Sequence, residues 1–490
     1  QITFDPIYTT AVALGFMAKA IHAKLVSYGE GAELRPELAE RWDVFEGGQH
    51  YRFYLRRDVR FHNGRLFEAK DVYESLLRLV LPENKSTSSW ILRHVRGAEE
   101  VMNGKTRQLE GIVVRDPHTV DILLDEPLAF FVSLLSMHEC SIVPVEETRD
   151  PERFRLRAPG AGPYRIEEVI EGERVRLVRN RHYFVPGQPL LEELVFRLDL
   201  RTTREVADAF LRGELDIAHG IPLITAKELR NDPSYAPYLL TTTQLHTSYF
   251  GYDTSSAPFN RVEVRQAVNY AIDRHRINDR LFGGQGLIAR GLLPPGLVGH
   301  DSNLRGYDHD PDRARSLLRQ AGYAAGFKVE YRTWETDEFY NSGMVPLIIE
   351  DLAEVGIEVN VTKHATADAR KPLQKRGHGN VFCGNWFADF PDPDNFFFVF
   401  FHSESASVAG INFQRAEVDA DIEAARKTND LEERTTIYRR LDAMVVKEAP
   451  IAPLFHERLF VGHKPYVRGV RTSLVQPPVR YNDVWLEKTE

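Results

Sequence analysis

Apolar side chains recur along this chain with two periods that take turns. Tyr51, Phe53 and Leu55 alternate with Arg52, Tyr54 and Arg56, which is the two-residue period of a half-buried strand. Asn63-Gly64 supplies a tight turn, after which Val72, Ser75, Leu76 and Leu79 return to helical spacing. Two strand-like runs, Tyr164–Ile170 and Arg174–Arg179, flank Glu171-Gly172 and predict a hairpin. Val195, Phe196 and Leu198 begin another strand, Val206, Phe210 and Leu211 form a helical face, and Leu215, Ile217 and Ala218 form a further short strand. Val264, Ala267, Val268, Ala271 and Ile272 fit one face of an amphipathic helix over 264–274. Asp310-Pro311 offers a cap with proline at the first helical position, Ala314, Leu317, Leu318 and Ala321 share a face, and Gly322 ends that helix. Leu347, Ile348, Leu352 and Val355 form a third apolar face, stopped by Gly356, before Ile357, Val359 and Val361 alternate as a strand. Strand and helix alternating in this way predict an α/β fold.

Length turns that pattern into several units, because 490 residues exceed one hydrophobic core and suggest roughly three. At 43% hydrophobic and 27% charged, neither a disordered nor a fibrous chain is indicated. The net charge of −9 argues against a nucleic-acid protein that relies on a general basic field. The longest apolar runs, 128–137 and 396–401, fall short of the roughly 20 residues that span a bilayer as a helix. Residue 1 is Gln and no basic-then-apolar leader precedes Phe4-Asp5-Pro6, which reads as a trimmed start. Cys140 and Cys383, without a CxxC pair, are expected to be free, buried thiols.

Local catalytic signatures are missing: the chain has no HExxH, no GxSxG and no GxxxxGK[ST]. The loose GxGxxA at 284–289 follows a helical stretch rather than a strand, so it lacks the dinucleotide context. His138-Glu139-Cys140 has metal-ligand residue types but no second pair to complete a site, and is expected to be structural. The most suggestive segment is 383–395, where Asp389, Asp392 and Asp394 lie among aromatics and prolines. Asp392 and Asp394 are expected as caps in a solvated turn. Asp389, flanked by bulky apolar groups, fits equally a turn and a partly desolvated partner for a ligand cation. Residues 396–401 are expected as core.

These residues resemble the bacterial extracellular solute-binding proteins that serve peptide and nickel ABC importers. Phe4-Asp5-Pro6 is similar to that family's opening Leu-Asp-Pro, and Pro36-Glu37-Leu38-Ala39-Glu40-Arg41-Trp42, followed by 51–61, His62-Asn63-Gly64 and Ala69-Lys70-Asp71-Val72, is similar to its signature block. Blocks at 160–164, 213–217, 258–260 with 264–274, 307–326, 386–395 and 449–454 follow in the same order, so the resemblance covers essentially the whole chain. It implies an α/β, two-lobed periplasmic-binding-protein fold of type II-like form, with a hinge and an additional third domain. The expected division places the first lobe at 1–30, 155–240 and 457–490, the additional domain at 31–154, and the second lobe at 241–456.

The resemblance also implies site residues. Asp389 matches the aspartate that receives a peptide α-ammonium. Asn385, Trp386 and Phe387 match cleft neighbours whose backbone pairs with an extended ligand as an added strand would. Thr10 and Val12 match first-lobe positions facing the same ligand, and Tyr249 matches an aromatic cleft position. Two departures stand out. Gly251 occupies a position that is acidic in some members, and Lys375, Arg376 and His378, near where basic partners occur in some, read here as solvated surface.

The expected activity is therefore that of an extracytoplasmic receptor, not an enzyme. It would close over a short peptide, with its free amine on Asp389, and dock on an ABC transporter permease. No catalytic residue, metal or cofactor is expected, nor any nucleic-acid partner. The protein would be monomeric, periplasmic or lipid-anchored at the cell surface, touching the membrane only through that anchor or the permease. A ligand-sensing domain of a larger signalling protein is the alternative from another class. Nickel complexes, opines and oligosaccharides are alternative ligands, since fold does not fix function.

Overall fold

The computed structural model describes residues 2–8, 12–377, 379–405, 409–475 and 479–487. Near the start, Val12–Ile21 is a helix (α1). Ala39–Phe45 (β1) and His50–Leu55 (β2) form an antiparallel pair. Tyr51, Phe53 and Leu55 are buried on one face, as their alternation requires. Helix Ala69–Val80 (α2) covers that face with Val72, Leu76 and Leu79. Its start is held by a reciprocal cap in which the Glu68 backbone N–H donates to Asp71 Oδ2 at 2.8 Å. Ile112–Asp116 (β3) and Thr119–Leu123 (β4) complete an antiparallel sheet in the order β1-β2-β4-β3.

Tyr164–Ile170 (β5), Arg174–Arg179 (β6) and Glu193–Arg197 (β7) make a three-stranded meander. Its hairpin turns at Gly172, whose φ of 76° suits a residue without Cβ. Tyr164, Val175 and Leu177 pack with Phe4, Met17 and Phe154 in one core.

Further strands build one large sheet. Ile217–His219 (β8), Leu239–Tyr252 (β9), Phe327–Trp334 (β10), Ile357–His364 (β11), Val381–Phe387 (β12) and Ile451–His463 (β13) lie in the order β8-β13-β9-β12-β10-β11. β9 and β13 are the long members and pair antiparallel along most of their length. Their ladder breaks between Thr243↔Arg458 and Thr247↔His456, where three residues of β9 oppose Glu457 alone.

Helices cover this sheet. Val262–Ala271 (α3) and Arg274–Phe282 (α4) stand where one helix over 264–274 is predicted. The reason lies in Asp273, whose Oδ1 accepts the Arg276 backbone N–H at 2.9 Å and so caps a new helix. The buried Arg274 guanidinium holds the corner by donating to Pro453 O at 2.6 Å and Asn269 Oδ1 at 2.9 Å. Pro311–Gln320 (α5) begins at Asp310, which accepts from Arg313 N at 2.9 Å. Met344–Glu354 (α6) precedes Gly356, at φ 89°, and then β11. Asp394–Phe401 (α7) buries Phe396, Phe397, Phe400 and Phe401 against Tyr438 and Leu441 of Leu431–Glu448 (α8). Cys140 and Cys383 are buried and form no disulfide. No helix among the described residues is long and apolar enough to cross a membrane.

Candidate functional site

Strand β12 passes from core to open cleft along its own length. Cys383 faces the core around Phe250 and Val264. Two and four residues on, Asn385 and Phe387 share that face but are exposed. On the other face Trp386 packs edge-on against Phe400, with ring centroids 5.9 Å apart. β12 pairs with β9 from Val381 to Phe387, whereas on its other side it meets β10 only at Val381. Among the described residues, no strand pairs with its second edge beyond Val381.

Past the strand the chain turns onto Asn395, in the first turn of α7. Asn395 Oδ1 accepts the Trp386 indole N–H at 2.8 Å and the Asp389 backbone N–H at 3.0 Å, and Asn395 Nδ2 donates to Asp389 Oδ2 at 3.3 Å. Phe390 anchors the turn by stacking on Phe130, with centroids 5.1 Å apart and planes 15° apart. A cavity of about 230 Å³ lies beside Lys19 and Arg480, and a larger one of about 980 Å³ is lined by Trp386, Asp389, Trp90, Phe130, Phe398 and Arg426 among others. Asp389 is reachable from solvent, yet the surrounding walls push its carboxyl up to about 6; the Asn395 hydrogen bond works against this and Glu139 adds to it. Among the described residues, no basic side chain forms an ion pair with Asp389. A carboxylate that is enclosed, oriented and uncompensated is suited to a ligand cation.

The other expected site residues distribute unevenly. Asn385, Trp386 and Phe387 adjoin Asp389 as the sequence indicates. Tyr249 does not line the cleft: it is 5% exposed, and its ring packs edge-on to Phe400 at 5.1 Å and Phe382 at 6.2 Å. Tyr249 pairs with Gly384, on the face it shares with Trp386 but two residues nearer the core end of β12, where Phe382 and Phe400 cover its ring. Val12 opens α1, and Thr10 lies outside the described residues.

Asp392 and Asp394 are not solvated. Both are buried; Asp392 takes two hydrogen bonds from Arg434, at 2.8 and 2.9 Å, and Asp394 lies 3.5 Å from Arg426. Asp392 does keep a turn role, accepting the Asp394 backbone N–H at 3.0 Å. Their proximity to two arginines from distant helices has no signal within the local sequence.

Gly251 leaves no room for an acid, because a Cβ there would lie 2.5 Å from the Phe382 ring. Lys375 and Arg376 are exposed, Arg376 against Gln414, and His378 lies outside the described residues. His138, Glu139 and Cys140 form a short 3-10 turn, with Glu139 3.2 Å from His138 Nδ1. Among the described residues, no cluster of three or more His, Cys, Asp or Glu side chains could hold a metal.

Sequence reasoning also missed two residues beside this wall, His246 and Glu457. They come from strands more than 200 residues apart and meet only at the break in the β9–β13 ladder.

Comparison with known proteins covers nearly the whole chain. The model of the family described as bacterial extracellular solute-binding proteins, family 5 middle, matches residues 33–407. The chain is 28% identical to the heme-binding protein A of Haemophilus influenzae, over 95% of this chain and 86% of that protein. It is 26% identical to the dipeptide-binding protein of Escherichia coli, over 97% of this chain and 90% of that protein. Among solved structures, the ABC transporter-associated periplasmic binding protein DppA from Helicobacter pylori, in complex with peptide STSA, superposes with a TM-score of 0.82 at 25% identity, covering 99% of this chain and 96% of that one.

Proposed function

The chain belongs to the bacterial extracellular solute-binding proteins of family 5, binding proteins of ABC importers rather than enzymes, with their two-lobed α/β fold, and we propose that its ligand is a short peptide held by its free amine on Asp389. The observation that carries this reading is the uncompensated Asp389 carboxylate at the end of the open edge of β12. A peptide laid along that edge supplies alternating N–H and C=O groups as an added strand does, while its ammonium meets Asp389. Contacts of this kind address the ligand backbone and leave its side chains free to vary. The complex with peptide STSA in the Helicobacter pylori relative supports the same ligand class.

In this reading residues 1–30, 155–240 and 457–490 act as one lobe, 241–456 as the other, and 31–154 as the additional domain. The register break at 243–247 and 456–458 falls at the 456/457 crossing and close to the 240/241 one, and is a natural hinge. Ligand binding drives closure, and the closed monomer docks outside the cytoplasm on the permease, free or held by a lipid anchor.

Native mass spectrometry of the purified protein, with denaturing release of whatever occupies the cleft, tests the reading. A set of short peptides is the expected result. A single opine, oligosaccharide or metal complex overturns the ligand class, and a fused regulatory domain in the full gene would make the same closure a sensory signal.

A further inference from the structure

Across the ladder from Phe387 stands His246, its ring 4.1 Å from the Phe387 ring. His246 is 6% exposed and neither ring nitrogen has a hydrogen-bond partner. Such unmet polar groups are costly inside a protein. Burial holds the imidazole neutral, which leaves one of its nitrogens an acceptor.

Glu457 sits opposite His246 in the ladder break, with Oε2 3.8 Å from His246 Nδ1. Its side chain is 39% exposed, so a solute can reach it. Surrounding walls nonetheless push its carboxyl up to about 7, and Glu338, at the start of the short helix Glu338–Asn341, adds to the rise. Among the described residues, no Lys or Arg forms an ion pair with Glu457. The Glu457 carboxylate and a neutral imidazole acceptor thus meet at one place, with the Glu338 charge acting on Glu457.

A neutral or anionic occupant leaves the Glu457 charge unmet, whereas an ammonium or guanidinium can donate to both Glu457 and the free His246 nitrogen. Position agrees with charge. Phe387 precedes Asp389 by two residues, and its ring contact with His246 places this group beside the wall that carries Asp389. We propose that His246, Glu457 and Glu338 form a second cation subsite that takes the Lys or Arg side chain of a bound peptide. This rests on the peptide reading of the cleft and adds a side-chain preference to it.

The test is titration calorimetry on ligand-stripped protein with Ala-Lys-Ala, Ala-Ala-Lys and their norleucine counterparts, which keep the side-chain length and remove the charge. At least one Lys peptide is expected to bind about tenfold more tightly than its counterpart. That ratio should fall toward one in Glu457→Gln and decrease in Glu338→Gln. Equal affinities of Lys and norleucine peptides for the parent protein, or a ratio that survives Glu457→Gln, overturn the subsite alone. If Glu457→Gln does not fold, the exposed Glu338→Gln decides, and an unchanged ratio there overturns it. Failure of all four peptides to bind overturns the subsite together with the peptide reading.

Discussion

Asn395 holds Asp389 at both ends: its Oδ1 accepts the Asp389 backbone N–H at 3.0 Å, and its Nδ2 donates to Asp389 Oδ2 at 3.3 Å. The carboxylate is thereby oriented before any ligand arrives, which lowers the ordering cost of binding. Replacing Asp389 by Asn keeps the shape and removes the charge. Affinity for an amine-bearing peptide is expected to drop by about 1.5–3 kcal/mol, the worth of a charge-assisted hydrogen bond. Calorimetry with a co-purified peptide reads this directly, and equal affinities would remove Asp389 from the site.

Acidity should act on the same group. Because enclosure raises the Asp389 carboxyl to about 6, lowering the pH through 6 protonates it and removes the counter-charge for the ligand ammonium. Affinity is expected to hold above pH 7 and to weaken between pH 6.5 and 5, with most of that dependence gone in Asp389→Asn. Binding isotherms across the range check it.

Gly384 is required by the ring beneath it. A Cβ at this position would lie 2.7 Å from the Tyr249 ring and hydroxyl. Gly384→Ala is expected to destabilise the protein by about 1–3 kcal/mol through overpacking, visible as a lower urea midpoint. Trimming the ring with Tyr249→Leu in the same chain should recover part of the loss; a wild-type midpoint for Gly384→Ala would refute the packing argument.

The turn that carries Asp389 also depends on the buried pair between Arg434 and Asp392, 2.8 Å apart. Arg434→Ala strands a buried carboxylate and is expected to cost about 3–5 kcal/mol. Chemical denaturation measures the cost, and a change below 1 kcal/mol would show that the turn is held by other contacts.

Asp442 provides a pH-dependent stability test away from the cleft. It is buried, accepts the Leu292 backbone N–H at 2.6 Å, and burial pushes its carboxyl up to about 7. A carboxyl whose folded pKa lies above its unfolded value of about 4 binds its proton more tightly when folded. Its contribution is therefore fully present below pH 4 and is lost as pH rises toward and through 7. Asp442→Asn should abolish that loss, so the variant gains on the parent protein between pH 5 and pH 8 in thermal melts. Parallel stability curves would refute the assignment.

Residue order alone determined the elements whose causes are local. Alternation at Tyr51, Phe53 and Leu55 marks β2, and the Asp310-Pro311 cap and Gly322 bound α5, because periodicity and capping act over a few residues. The motif around Asp389 was legible for the same reason, with its carboxylate, aromatics and prolines contiguous. Tertiary structure decided what depends on register and on distant partners. Tyr249 has the residue type of a cleft wall, but its register with Gly384 turns it into the core. Asp392 and Asp394 look like solvated turn residues until Arg434 and Arg426 arrive from helices far along the chain. His246 and Glu457 carry no local signal, because only the break in the β9–β13 ladder brings them together. A side chain's chemistry is written in its own residue, whereas its burial and its counter-charge are set by whatever the fold packs against it.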